Sequence, residues 1–202
     1  MTSLRELAAE AASCTRCDLY RHATRTVFGE GRARASLVLA GEQPGDQEDK
    51  QGHPFVGPAG KLLDRALRDS GVEREDAYIT NAVKHFKWQP RGKRRIHQRP
   101  SGSEIRACRH WLEAELTAIR PQVLVAMGVT AGVSLFGSRF RVSEHRGQVE
   151  ELTVGPWQGL VVSTIHPSAV LRAPDEDARH DAYAGFVSDL KTAGQAAAQP
   201  AA

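Results

Sequence analysis

Residues 41–63 of the chain read GEQPGDQEDKQGHPFVGPAGKLL. The apolar run at residues 36–40 is typical of a buried parallel strand, and leucine and alanine recur with helical spacing over residues 62–67. The stretch between them holds five glycines and three prolines, which allow close approach of the backbone to a ligand and fix the path of the loop. Because ligands of open parallel sheets bind beyond the carboxyl ends of the strands, we expect the functional site in this loop.

A phosphate-binding loop is the first alternative, since the end of the stretch, Gly57 to Lys61, is glycine-rich and finishes with lysine. A Walker A motif needs a strand directly before it and Ser or Thr after the lysine, whereas Leu62 follows here. The sequence therefore argues against a nucleoside triphosphate. The loop instead offers carboxylate, amide and aromatic side chains that suit a flat polar ligand, namely Glu42, Gln43, Asp46 and Phe55.

Apolar runs and helical patterns alternate along the chain. The predicted strands are residues 36–40, 77–80, 123–127 and 159–165, with helices between them, one at residues 3–13 and a last one at about residues 175–190. This order predicts a three-layer α/β/α sandwich with a central, mostly parallel four-stranded sheet. We expect residues 1–192 to form a single domain and residues 193–202, rich in Ala, Gln and Pro, to be a disordered tail.

Composition narrows the class of protein. The net charge of this 202-residue chain is only +3, but five of its cations fall within residues 91–99, which indicates a polyanionic partner. We find no apolar segment that could span a membrane, and the amphipathic, charged amino end resembles no signal or transit peptide, so we expect a cytoplasmic protein. Three cysteines are too few for a secreted disulfide scaffold, whereas Cys14 and Cys17 have metal-ligand spacing.

Four motifs together resemble family 4 uracil-DNA glycosylases, and the resemblance extends from Cys14 to about Leu190. They are GEQPGxxED at 41–49, GxPFVGxAG at 52–60, the pair Thr80-Asn81, and His166-Pro167-Ser168. The sequence KRRIH at 93–97, together with Gln43, resembles the UdgX branch of that family. The resemblance implies a protein that excises uracil from DNA and stays covalently joined to the abasic sugar through His97.

To recognise uracil in DNA, a protein has to flip the base out of the helical stack and form hydrogen bonds with its pairing edge. The carboxamide of Asn81 can pair with a carbonyl and the ring N–H of uracil, and Phe55 can stack on the ring; Gly41 and Asp46 complete the predicted base-binding residues. From spacing alone, Asn81 could instead be a turn former and Phe55 a core residue.

Cleaving a glycosidic bond builds positive charge on the sugar and negative charge on the departing base, so the site needs a carboxylate and a donor. Glu42 and His166 can supply them. The resemblance implies that His166 hydrogen-bonds a uracil carbonyl and that Gln43 organises the space of a hydrolytic water. Without the resemblance, His166 could simply cap the helix that follows it.

His97 lies in the basic loop, where a histidine would ordinarily contact phosphate. A neutral imidazole there also has a lone pair that can attack the anomeric carbon. We predict DNA contacts from Lys93, Arg94 and Arg95, and from Ser168 at a helix start. The resemblance further implies that Arg95 positions the loop.

Cys14, Cys17 and Cys108 match three of the four cluster cysteines of the family, and His85 occupies the remaining position. These four side chains could hold a 4Fe-4S cluster, or zinc, because ligand counting does not separate the two. The resemblance favours the iron-sulfur cluster, in a structural role.

The sequence leaves two rival functions open. One is a hydrolytic family 4 enzyme in which His97 only grips phosphate; the other is a non-catalytic iron-sulfur module that binds DNA without regard to uracil. For the leading interpretation we expect a monomer that binds uracil-containing DNA, preferably single-stranded, and releases free uracil.

Overall fold

The computed structural model describes residues 2–199 and contains a six-stranded mixed sheet and a separate two-stranded hairpin. The strands are Glu30–Gly31 (β1), Leu37–Gly41 (β2), Ala77–Asn81 (β3), Trp88–Arg91 (β4), Arg94–His97 (β5), Val123–Met127 (β6), Val149–Val154 (β7) and Trp157–Thr164 (β8). The large sheet has the order β1-β3-β2-β6-β8-β7, and its four inner strands are parallel. The predicted fold class is confirmed, but the sheet has six strands rather than four, because β1 and β7 add antiparallel edges.

Helices cover both faces of the large sheet. They are Leu4–Ala11 (α1), Asp46–Gln51 (α2), Pro58–Ser70 (α3), Gly102–Ile119 (α4), Val129–Phe136 (α5), Val142–His145 (α6), Pro167–Leu171 (α7) and Glu176–Ala197 (α8), with 3₁₀ turns at Asp18–Arg21 and Arg74–Asp76. Neighbouring residues of β2 show the two faces, since Leu39 packs in the core with α3 and α8 while Val38 packs with α4 and α5. Burial on both faces explains why β2 is apolar throughout.

The carboxyl end of the chain differs from the prediction. Helix α8 continues through Ala197, and Ala193 is fully buried in the core, so the predicted disordered tail is corrected at residues 193–197. Residues 200–202 of that predicted tail lie outside the described residues. No helix in the described part of the chain combines the length and the apolar character that a membrane span needs.

The carboxyl ends of the parallel strands bring distant residues to one edge of the sheet. Gly41 at the end of β2 is in register with Asn81 at the end of β3. The backbone N–H of Gly128, after β6, donates to the carbonyl of Thr164 at the end of β8 (2.8 Å). Asn81 at the end of β3, Glu42 after β2 and His166 after β8 therefore lie at the same edge.

The hairpin of β4 and β5 lies between β3 and α4 in the chain. Its strands pair with each other, with Trp88 opposite His97, and among residues 2–199 they pair with no strand of the large sheet. Gly92 in the turn has a φ of 59°, a conformation that glycine adopts without steric cost. The hairpin carries the basic loop and, in its last strand residue, His97.

Candidate active site

A cavity of about 910 Å³ opens at the carboxyl edge of the parallel strands. Eight of the predicted site residues line it: Glu42, Gln43, Asp46, Phe55, Asn81, His97, His166 and Ser168. The strand ends bring these residues together although they are spread over more than a hundred positions of the chain. The remaining predicted residues do not line the cavity: they are Gly41 at the end of β2, Lys93, Arg94 and Arg95 of the hairpin, and Cys14, Cys17, His85 and Cys108.

Phe55 forms one wall of the cavity. It is buried and has a φ of 56°, an uncommon backbone conformation for a large side chain and one that concentrates at functional sites. Its ring centroid lies 5.8 Å from that of His166. A Cβ on Gly41 would lie 2.5 Å from the Phe55 ring, so glycine at this strand end is what admits the ring.

Asn81 is 2% exposed, and its side chain points toward the end of β2. Its Oδ1 is buried and has no hydrogen-bond partner among the described residues. Such an atom costs free energy in the folded protein unless a ligand satisfies it. The cavity therefore contains an unpaired acceptor suited to an N–H donor of a ligand.

His166 caps α7 and also faces the cavity. The backbone N–H of Ser168 donates to its Nδ1 (3.2 Å), and the Ser168 hydroxyl lies 2.8 Å from the same atom. Because Nδ1 accepts, the neutral ring has its proton on Nε2. Burial lowers the pKa of His166 to about 4, so at neutral pH the ring is an uncharged donor.

Glu42 and His97 meet in the wall of the same cavity. The Nε2 atom of His97 is 3.2 Å from Oε1 of Glu42, and the hydroxyl of Thr130 donates to Oε2 (2.8 Å). Burial raises the pKa of Glu42, but the opposing effects, chiefly the hydrogen bonds with His97 and Thr130, outweigh burial and lower the pKa below its usual value. Glu42 is therefore a carboxylate at neutral pH.

Gln43 holds the two ends of the hairpin together. Its Nε2 donates to the carbonyls of Lys87 and Gln98, each at 3.1 Å, and its Oε1 accepts from the N–H of Lys87 (3.1 Å). The amide thus joins the residues directly before and after the two hairpin strands. This placement lets Gln43 fix the position of His97 relative to the cavity.

Arg95 is turned inward. Its guanidinium donates to Asp46 and Asp49, each at 2.6 Å, and its side chain is 18% exposed. The carboxylate of Asp46 also accepts from Lys50, so both of its oxygens have protein partners. These contacts favour a positioning role for Arg95, whereas Lys93 and Arg94 are exposed at the hairpin tip, where DNA could reach them.

Two residues of the site were missed by the sequence reasoning. Glu48 is buried and accepts from the N–H groups of Gly45 (3.1 Å) and Gly57 (2.7 Å), which joins the two ends of the site loop. Thr130 holds Glu42 from the first turn of α5. The spacing of Glu48 three residues after Gly45, at a helix start, was a signal for the first; no sequence signal links Thr130 to a residue 88 positions away.

The three cysteines pack in one apolar cluster between α1 and α4. The Sγ of Cys14 accepts from the indole of Trp111, and the Sγ of Cys108 accepts from the backbone N–H of Lys84, each at 3.2 Å. Burial raises the pKa of Cys17 and raises that of Cys108 to about 12, and neighbouring thiols add to both shifts.

His85 lies apart from these bonds, with its Nε2 2.9 Å from the hydroxyl of Thr26. Burial lowers its pKa, which leaves a neutral imidazole suited to a metal. Within residues 2–199 no group of three or more His, Cys, Asp or Glu side chains is arranged to hold a metal ion. Thiolates and an imidazole are ligand types that fit an iron-sulfur cluster, and the four side chains would have to come closer together to bind one.

Comparisons with known proteins identify the family of the chain. Residues 28–191 match the model of the Uracil DNA glycosylase superfamily. A type-4 uracil-DNA glycosylase of Thermotoga maritima is 41% identical over 170 residues, which cover 82% of this chain and 82% of the relative. A type-4 uracil-DNA glycosylase of Archaeoglobus fulgidus is 39% identical over 178 residues, which cover 86% of each chain.

Proposed function

The chain belongs to the uracil DNA glycosylase superfamily and is a uracil-DNA glycosylase, and we propose that it remains covalently joined to the abasic sugar through His97 after a single turnover. The observation that carries this proposal is the contact of His97 with Glu42 in the cavity wall. At this position the Glu42 carboxylate can accept the proton of one ring nitrogen of His97 while the other ring nitrogen attacks the sugar.

Recognition of uracil begins with Asn81 and Phe55. The unpaired Oδ1 of Asn81 can accept from the ring N–H of uracil while the amide nitrogen donates to a neighbouring carbonyl. Cytosine has an acceptor in place of that ring N–H and an amino group in place of the carbonyl, so both bonds would be lost. Phe55 supplies a flat apolar face for the ring.

Bond cleavage then follows from one neutral donor and one carboxylate that line the cavity. The C1′–N1 bond breaks and uracil leaves with the electron pair. The Nε2 proton of His166 stabilises the developing charge on a uracil carbonyl, and the Glu42 carboxylate stabilises the positive sugar.

The covalent step uses His97. Its unprotonated ring nitrogen donates a lone pair to C1′, forming the new C–N bond, and Glu42 accepts the proton from the other ring nitrogen. The product is a neutral N-alkyl imidazole, which is a poor leaving group, so the adduct persists. Gln43 and Arg95 hold the hairpin in place for this attack.

We also propose that Cys14, Cys17, Cys108 and His85 hold a 4Fe-4S cluster. When bound, the cluster would supply a structural tie between the amino-terminal helix and α4. The shared apolar cluster of the three thiols supports this assignment, and no step of the reaction depends on it.

The test is incubation of the wild-type protein with uracil-containing single-stranded DNA, followed by denaturing electrophoresis. We expect an adduct that survives heat and detergent, and peptide mass measurement that maps the sugar to His97. His97→Ser should release uracil but leave free abasic DNA, because serine is short and weakly nucleophilic at neutral pH and leaves room for water. His53→Ser, a matched change of an exposed histidine paired with Glu30, should keep the adduct.

Other outcomes separate the rivals. Uracil release with no adduct in the wild type would support a hydrolytic family 4 enzyme. Binding without release, independent of uracil, would support a non-catalytic module. An adduct mapped to another residue would end the His97 assignment.

A further inference from the structure

A fully buried ion pair lies beside β3, the strand that ends at Asn81. The Nζ atom of Lys84 is 2.6 Å from Oε2 of Glu115 in α4, and both side chains are 0% exposed. The loss of hydration on burying two charges largely offsets their attraction, so such a pair is weak support for stability. Its contacts indicate a different role.

The ammonium group of Lys84 is bonded back to the strand end that carries Asn81. Besides Glu115, it donates to the backbone carbonyl of Asn81 (2.9 Å) and to the hydroxyl of Thr80 (2.6 Å). An ammonium group has three donors, so all three are used inside the protein. Lys84 therefore fixes the main chain of the residue whose carboxamide faces the cavity.

Glu115 is held just as firmly. Its carboxylate accepts from the hydroxyls of Tyr78 (3.0 Å) and Thr80 (2.9 Å) and from the backbone N–H of Gly29 (3.1 Å). Burial and the charge of Glu115 raise the pKa of Tyr78, so its phenol remains a donor. None of these residues lines the cavity, so the network can act on the site only indirectly, through the main chain.

We propose that Lys84 and Glu115 are positioning residues for uracil recognition, which they serve by fixing the Asn81 carbonyl and, through it, the direction of the unpaired Oδ1. This inference rests on the proposed function, because it takes Asn81 as the partner of the uracil edge. A misplacement of about 1 Å in a reacting group can slow a reaction about 100-fold, so loss of this support should be measurable.

The decisive variant is the double replacement Lys84→Met/Glu115→Leu, which removes both charges and leaves neither unpaired. Hydrophobic replacement of a buried pair commonly preserves stability. Here, however, Glu115→Leu also removes the acceptor of Tyr78, Thr80 and the Gly29 N–H, so we expect a lower thermal unfolding midpoint. In the folded double variant we expect unchanged affinity for a uracil-free oligonucleotide and single-turnover uracil release slowed about 10- to 100-fold. The matched control is Tyr78→Phe, which removes one donor to Glu115 but no bond to Asn81, and it should keep the wild-type rate.

A folded double variant that releases uracil at the wild-type rate overturns the proposal. If the double variant does not fold, Thr80→Val and Thr80→Ser decide, since valine removes the hydroxyl that Lys84 contacts and serine retains one. Slower release by the valine variant alone supports the proposal, and equal rates overturn it. A wild-type protein that releases no uracil would instead refute the proposed function, and the two failures are therefore distinguishable.

Discussion

Replacement of Asn81 by alanine should abolish most of the discrimination for uracil while leaving the fold intact. Asn81 is buried at the end of β3, and its Oδ1 has no partner in the described part of the protein. Truncation therefore costs the folded protein no hydrogen bond at that oxygen. The loss falls on the complex with uracil, where two polar groups of the base lose their partner.

The size of the effect follows from burial of those two groups. Leaving a buried donor or acceptor unpaired costs about 1–3 kcal/mol, so two groups cost about 2–6 kcal/mol. At about 1.4 kcal/mol for each factor of ten, uracil release should slow by about 30-fold to about 2 × 10⁴-fold.

The assay is single-turnover release of uracil from a single-stranded oligonucleotide, with affinity for the uracil-free oligonucleotide measured in parallel. Affinity for the uracil-free strand should hardly change, because that strand does not occupy the base-binding cavity. Gln47→Ala is the matched control, since it removes an exposed amide at the mouth of the same cavity and should keep the wild-type rate. A loss smaller than about threefold in Asn81→Ala, or an equal loss in Gln47→Ala, would refute the recognition role of Asn81.

Three further predictions concern the cysteine region, the hairpin tip and His166. Anaerobically purified protein should contain about four irons per chain, and His85→Cys should retain them while Cys108→Ala loses them; zinc without visible absorption would contradict this. Arg91→Ala and Lys93→Ala should each flatten the salt dependence of single-stranded DNA affinity by a slope of roughly 0.7, and an unchanged slope in both would mean that the tip does not contact the backbone. Burial lowers the pKa of His166 from 6.5 to about 4, so between these values the unfolded chain binds a proton that the folded chain does not. The free energy of unfolding should therefore fall as pH drops from 6.5 toward 4, and urea titrations of His166→Gln should lack this part of the slope.

The parallel core was predictable because its strands are buried on both faces. Runs such as Val123–Met127 are apolar at every position, so they can be predicted as buried strands without knowing which strands and helices pack against them. The edge strands gave no such signal. Val149–Val154 alternates exposed and half-buried residues, and Glu30–Gly31 is two exposed residues that pair with β3 only through the backbone.

The sequence predicts the positions of those site residues that lie at the ends of strands. It does not predict the contacts that depend on how the hairpin packs against the rest of the protein. Asn81 and His166 follow strands, so their place at one edge of the sheet followed from topology. Two contacts depend on how the hairpin packs: the ion pair of Arg95 with Asp49, and the hydrogen bonds that Gln43 makes to the two ends of the hairpin. No periodicity in the sequence encodes that packing.

The independent pairing of the hairpin has a consequence for how such an enzyme could arise. Trp88 and His97 face each other, so the chain enters and leaves this segment at nearly the same point. Residues 89–96 could be lost or acquired by exchange for a short turn without altering the register of the large sheet. A scaffold without this hairpin could thus gain the covalent step that we propose for His97 through one small insertion, once a histidine at the end of the insertion met a carboxylate already present.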